Sequence, residues 1–171
     1  RNKIMPVNIY KGEASRNSEK KIGLEVNLDH NPGLWEKISF LNITDLDDHR
    51  DLIRFSKSVK DAESSNETMN QLLKFQNIDL FARASILEIL LNTSISDYTH
   101  NKRVAIDVWS GNVHIIPHDI TFVREMIDED NLIRERANSN LFTVINQSSE
   151  FLDTKYKILN KVIKEDKIFD E

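Results

Sequence analysis

The chain has 171 residues, 30% charged and 39% hydrophobic, with a formal net charge of −5, which suits one globular domain and excludes wholesale disorder. Lys and Arg are mixed among the acids, so no basic stripe points to nucleic acid, and no apolar run is long enough to span a bilayer. Cysteine is absent, which excludes disulfides, thiolate zinc sites and cysteine nucleophiles.

Only 4 Gly and 3 Pro punctuate the chain, so long helices are expected to dominate. The first residue is Arg1, and no signal-like apolar segment follows it. Residues 7–10 alternate weakly and predict a short strand. Residues 11–21 are polar, contain Gly12 and predict a loop, whereas 24–28 alternate like a strand with one wet face. Asn31-Pro32-Gly33 signals a turn, after which Leu34, Ile38 and Leu41 fall at helical spacing. Asp47 and Asp48 stand where a helix dipole favours acids, ahead of Leu52, Phe55 and Val59. A polar loop over 60–66 and a short helix over 68–75 are predicted next.

The strongest helix signal covers 79–91, with Asp79 as its candidate N-cap. Leu80, Ala84, Leu87 and Leu91 mark one face, while Phe81, Ile86, Ile89 and Leu90 cover much of the rest, which predicts a central, buried helix. A polar loop over 92–102 leads to a hairpin. Val104, Ile106 and Val108 form its first strand, Ser110-Gly111-Asn112 its turn and 113–116 its return, closed by Pro117. The segment 125–140 is charged and predicts part helix, part loop. Ser148 or Ser149 can cap a last helix with Leu152, Tyr156, Leu159 and Ile163 as its apolar stripe. The fold expected is α+β, helix-rich, with a small antiparallel sheet that includes the 104–116 hairpin.

The chemistry is concentrated around that hairpin. Asn101 precedes its first strand and Asp119 follows its second, so a tight turn carries an amide oxygen and a carboxylate toward each other. Magnesium takes oxygen ligands of these kinds. Protein kinases hold their metal with an Asn at the end of the catalytic loop and an Asp one hairpin later. Their catalytic Asp lies five residues before the Asn, a position that is Ser96 here, with Asp97 beside it.

Three segments match one family in order and spacing. Asn8-Ile9-Tyr10-Lys11-Gly12 matches an Asn-Leu-Tyr-Lys-Gly strand, and Asp97-Tyr98-Thr99-His100-Asn101 matches an Asp-Tyr-Gly-His-Asn motif. Ile116-Pro117-His118-Asp119 matches Ile-Pro-Trp-Asp after a hairpin with a glycine turn. Over about 7–119 the chain thus resembles the CotH-type atypical kinases, named for a spore-coat protein. The resemblance implies a kinase-like C-lobe core that uses ATP and Mg2+ to phosphorylate a protein substrate on Ser or Thr. Asn101 and Asp119 would hold the metal, Asp97 would be the base, and Lys11 would meet the ATP phosphates. It also implies a spore-coat, cell-surface or exported setting, with a coat or surface protein as substrate. Residues 1–171 would form one such core, with much of the N-terminal lobe upstream.

The chain departs from the family pattern at Ser96, at His118 in place of Trp, and at Thr121 where a second acid often follows. The loss of the acid at Ser96 supports an alternative: a catalytically degraded scaffold that binds a partner in a coat or envelope. Asp97 then caps a turn, and Asn101 bonds its own loop. His100 organises its loop by a hydrogen bond. His114 and His118 are not spaced to share one strand face, which argues against zinc. Trp35 and Trp109 are expected to pack, and the 152–163 stripe to face the core or a partner. No Gly-x-Ser-x-Gly elbow and no recognisably spaced carboxylate pair supports a hydrolase.

Overall fold

A computed structural model describes residues 6–13, 31–39, 46–90, 100–116 and 140–164. Among them the architecture is α+β, with five α-helices and a four-stranded antiparallel sheet of order β2-β1-β3-β4. The strand predicted over 24–28, Leu41, the loop 92–99 and nearly all of 125–140 lie outside the described residues.

Strand β1 (Val7–Glu13) runs further than the alternation predicts, through Lys11 and Gly12, where polar composition and a glycine predict a loop. It is held from both sides. Tyr10 pairs with Lys37 on β2 (Glu36–Ser39) and with Val104 on β3 (His100–Asp107). Two ladders stabilise backbone that local propensity leaves undecided.

The helix suggested by Leu34, Ile38 and Leu41 is not formed. Pro32–Leu34 makes one 3-10 turn, Trp35 leaves it in an extended conformation, and Glu36–Ser39 is strand β2. Ladder bonding to β1 overrides the helical spacing. Trp35 and Lys37 turn inward, at 2% and 7% exposure, while Leu34 and Ile38 are exposed.

Helix α1 (Arg50–Ser64) buries Leu52, Phe55, Ser56, Val59 and Ala62 along one stripe. It continues through most of the predicted 60–66 loop, because those polar residues form its solvent face. Ser65, fully extended, breaks it and caps α2 (Asn66–Phe75) by accepting from Thr68 N–H at 3.2 Å. Helix α3 (Ile78–Leu90) starts one residue earlier than predicted. Its cap is Asn77, whose side-chain oxygen accepts from Leu80 N–H at 3.2 Å. Asp79 instead pairs with Arg83 one turn on. Phe81, Ala82, Ala84, Ser85 and Ile86 are buried, as expected of a central helix, although Leu80 is partly exposed. The helix packs against β4 (Val113–Ile116) and against α5.

The hairpin forms where the sequence puts it. Asp107 accepts from Trp109 N–H at 2.8 Å and from Ser110 N–H at 3.2 Å, and Gly111 N–H donates to the Asp107 carbonyl at 2.8 Å. Gly111 sits at φ 73°, a conformation that glycine adopts without the strain of a side chain. Burial acts to raise the Asp107 carboxyl, but the Trp109 and Ser110 N–H groups, the Ser110 hydroxyl and nearby His114 outweigh it and hold the group below the ordinary value. Gln76, just past α2, clasps this hairpin from outside. Its Oε1 accepts from Val113 N–H at 2.8 Å, and its Nε2 donates to the Gly111 carbonyl at 3.5 Å. Trp109, expected to pack, projects from the turn at 78% exposure.

Helix α4 (Asn140–Ile145) contributes Val144 and Ile145 to the core. Helix α5 (Ser149–Lys164) is capped by Ser148, which accepts from Phe151 N–H at 3.4 Å. Its inward face is rotated from the predicted stripe. Phe151 and Lys155 are buried and Leu152 and Ile158 pack beside them, whereas Tyr156 and Ile163 are exposed. A lysine read as polar thus belongs to the core face. Its aliphatic stem suits apolar neighbours, and its ammonium lies 6.0 Å from the Phe151 ring centroid.

Candidate functional site

The sheet sorts its residues by parity. Directly paired residues share a face, so Asn8, Tyr10, Lys37, Val104, Ile106 and Val113 look toward the helices. The opposite face carries Glu36, Lys11, Arg103 and Ile116 in one cross-strand row, and Ile38, Ile9, Ala105 and His114 in the next. Lys11, the residue expected to meet phosphate, is half-buried in the first row. Arg103, its neighbour, went unnoticed in the sequence. It is half-buried, and its Nε is fully shielded with no hydrogen-bond partner among the described residues. The sequence signal was a basic residue at alternate spacing from Val104's inward face.

Of the remaining expected site residues, Asn101 is the second residue of β3, within the strand and not ahead of it. Its backbone is described and its side chain is not. Asp97 and Asp119 lie outside the described residues. The β1–β3 ladder brings Lys11 opposite Arg103, two positions along from Asn101, and Glu13 opposite His100. Among the described residues no group of three His, Asp or Glu side chains could hold a metal ion.

The inward face holds a second polar constellation that sequence reasoning missed. Asp51, in the first turn of α1, accepts from the Tyr10 hydroxyl and from Asn8 Nδ2, the latter at 2.9 Å. Lys37 Nζ donates to the Asp48 carbonyl at 2.6 Å and lies 5.8 Å from the Tyr10 ring centroid. The His49 ring nitrogens lie 2.7 Å from the Trp35 carbonyl and 3.0 Å from that of Asp47. These bonds dock the start of α1 onto β1 and β2. Burial first, then the bond to Asp51 and the charges of Asp51 and Asp48, push the Tyr10 hydroxyl well above the ordinary phenol range. Tyr10 therefore stays protonated and serves as a fixed donor, not as an acid or base near neutrality. Outside the cluster, three hydrogen bonds from Arg50, two from its side chain and one from its backbone N–H, hold the half-buried Asp48 carboxyl far below its ordinary value. The polar residues Asn8 and Tyr10, two apart on one strand, were the available signal; their partner Asp51 could not be located without the fold.

Surface depressions lie elsewhere, among them the following. A cleft of about 390 Å³ separates the α1–α2 and α4–α5 junctions, lined by Ser64, Ser65, Asn66, Asn70, Gln147 and Ser149 with Glu63 beside them. An apolar groove of about 220 Å³ runs between α3 and β4, past Leu80, Phe81, Ala84 and Val113. The cleft contains no residue that the sequence marked for chemistry, and the groove only His114, weighed above for zinc. No family model, no curated protein and no solved structure matches the chain.

Among the described residues no helix is long and apolar enough to cross a membrane.

Proposed function

We propose that the chain is the core of a CotH-type, kinase-like protein that passes the γ-phosphate of ATP to a Ser or Thr of a protein substrate, of the coat or surface class that the resemblance implies. The observation that carries this reading is the β3–β4 hairpin between the two halves of the motif. Arg103 pairs with Ile116; Asn101 lies two residues before the first and Asp119 three residues after the second. Three residues of chain span at most about 10 Å, so the reach of the chain supports a reading in which the amide and the carboxylate meet at one end of the hairpin.

The residue types fit the ligands. An amide oxygen and a carboxylate are donors that magnesium accepts, and a lysine on the adjoining strand suits a phosphate oxygen. Bound Mg2+ and ATP would supply the transferable phosphoryl group and neutralise its charge. The chain's own residues would do the positioning. Asn101 and Asp119 would hold the metal, Lys11 would fix the phosphate chain, and Asp97 would orient the accepting hydroxyl and take its proton.

Ser96, where the family carries its acid, favours a second reading: a partner-binding relative that holds nucleotide without turnover, or does not hold it. A thermal melt separates them. Millimolar Mg2+ with ATP should raise the melting temperature, Asp119→Ala should abolish the rise while leaving the circular dichroism unchanged, and labelled γ-phosphate should appear on protein Ser or Thr. A melting-temperature rise without transfer, in the presence of candidate coat proteins, selects the scaffold. No rise at all overturns the nucleotide reading.

A further inference from the structure

We propose that His49 is a proton-operated latch between β2 and α1: its imidazolium form docks the two elements, and loss of the proton loosens them. None of the residues involved belongs to the metal and phosphate site proposed above, so the latch stands or falls independently of the nucleotide reading.

The first observation is the pair of atoms that meet the ring. Nε2 lies 2.7 Å from the Trp35 carbonyl oxygen, and Nδ1 lies 3.0 Å from that of Asp47. A carbonyl oxygen only accepts hydrogen bonds, whereas a neutral imidazole has one N–H donor and one bare nitrogen lone pair. Either neutral tautomer therefore turns a lone pair toward a carbonyl oxygen. The imidazolium carries an N–H on both nitrogens and satisfies both contacts.

The second observation is where the two carbonyls sit. Trp35 leaves the 3-10 turn at the entry of β2 and is 2% exposed. Asp47 precedes α1, and His49 holds the N-cap position of that helix without making a side-chain capping bond. The ring is thus spent on joining the entry of β2 to the entry of α1. The titratable and charged groups on the segments around it are Tyr10 on β1, Lys37 on β2, and Asp47, Asp48, Arg50 and Asp51 at the start of α1. The 3-10 turn and α4, which also pack against α1, contribute none. The positive end of the helix dipole and Lys37 oppose a cation here. Three carboxylates and the Tyr10 ring, its centroid 5.5 Å from that of His49, favour one.

The sign follows from the proton count. The docked arrangement needs one proton more than a neutral ring carries, so the latch holds on the acid side and is lost as pH rises through the histidine range, about 5 to 8. Two measurements test this on the 171-residue chain. In denaturant melts, the parent should exceed His49→Gln in folding equilibrium constant by about tenfold more at the acid end of that range than at the alkaline end. That factor is the weight of one charge-assisted hydrogen bond. The carboxamide of the variant has no titrating proton, and the other four histidines are common to both proteins. In NMR spectra of the parent, the Trp35 and Asp47 carbonyl carbons should shift in the same titration as the His49 ring nitrogens.

A stability gap that stays constant or widens as pH rises overturns the latch. So do carbonyl signals that stand still while the ring titrates, or a ring that shows one bare nitrogen throughout the range. If His49→Gln does not fold, the carbonyl and ring signals of the parent decide alone.

Discussion

The two faces of the sheet are built from the same four strands and carry opposite work. The face toward the helices holds Tyr10, Val104, Ile106 and Val113, each at or below 2% exposure. The far face holds Lys11, Arg103, Glu36 and His114, none of them in the core cluster. Because strand side chains alternate with a period of two, one residue's shift along β1 or β3 separates a core position from a candidate binding position. Lys11 and Tyr10 are neighbours in sequence and belong to different problems. Substitutions on the inner face should change stability; on the outer face Ala105, at 6% exposure, belongs with them, whereas Glu36 and Ile38 stand in solvent.

The sharpest way to break that division is to truncate one apolar residue on each face. Ile106→Ala, on the inner face, should destabilise the chain by about 2–4 kcal/mol in a denaturant melt, from lost transfer energy and the cavity left behind. A cost below about 1 kcal/mol would mean that the inner face is not the core. Tyr10→Phe should come next, at about 1 kcal/mol near neutrality for the lost bond to Asp51. Its pH dependence sharpens the comparison. The folded-state value of Tyr10 is raised above the 10.0 of a free phenol, so its contribution is whole below pH 10 and is lost as pH rises beyond it. Above pH 10 the parent should lose up to about 1.4 kcal/mol per pH unit more steeply than Tyr10→Phe. Parallel alkaline limbs for the two proteins would contradict the buried, hydrogen-bonded hydroxyl. The smallest effect belongs to the outer face: Ile38→Ala, at a position 37% exposed, should stay within about 0.5 kcal/mol of the parent. A large loss there would show that the outer face is as much a core as the inner one.

Much of the fold was legible where local signals agreed with each other. The hairpin had alternation, a glycine at the turn and a proline after the return strand, and it formed at those positions. Helix α3 was legible from its apolar density, and its true cap, Asn77, lay two residues before the acid chosen for that role. The errors came where distant partners decide. Leu34, Ile38 and Leu41 mimic a helical face, but β1 supplies ladder bonds that turn 36–39 into a strand. The inward stripe of α5 is rotated from the expected one because Lys155 counts as polar by type, whereas its stem is core. The candidate site was legible as a motif and not as a surface. Lys11 and Asn101 could be chosen by type and order, but Arg103 emerges only from the register that sets it beside Lys11. The Asn8–Tyr10–Asp51 dock was hidden for the same reason: its members are 41 and 43 positions apart from Asp51 along the chain.

The clasp made by Gln76 has a consequence for how the molecule avoids its own kind. In an antiparallel pair, successive residues alternate between bonding inward to the partner strand and pointing their backbone groups outward. The Asp107 backbone N–H donates to the Asn112 carbonyl at 2.9 Å, so the next residue, Val113, aims its N–H away from β3, and Gln76 Oε1 takes it. A side-chain amide there imitates a neighbouring strand one residue long. It occupies the first rung that an incoming polypeptide would need to extend the sheet, and so guards β4, an edge strand among the described residues, against templated self-assembly.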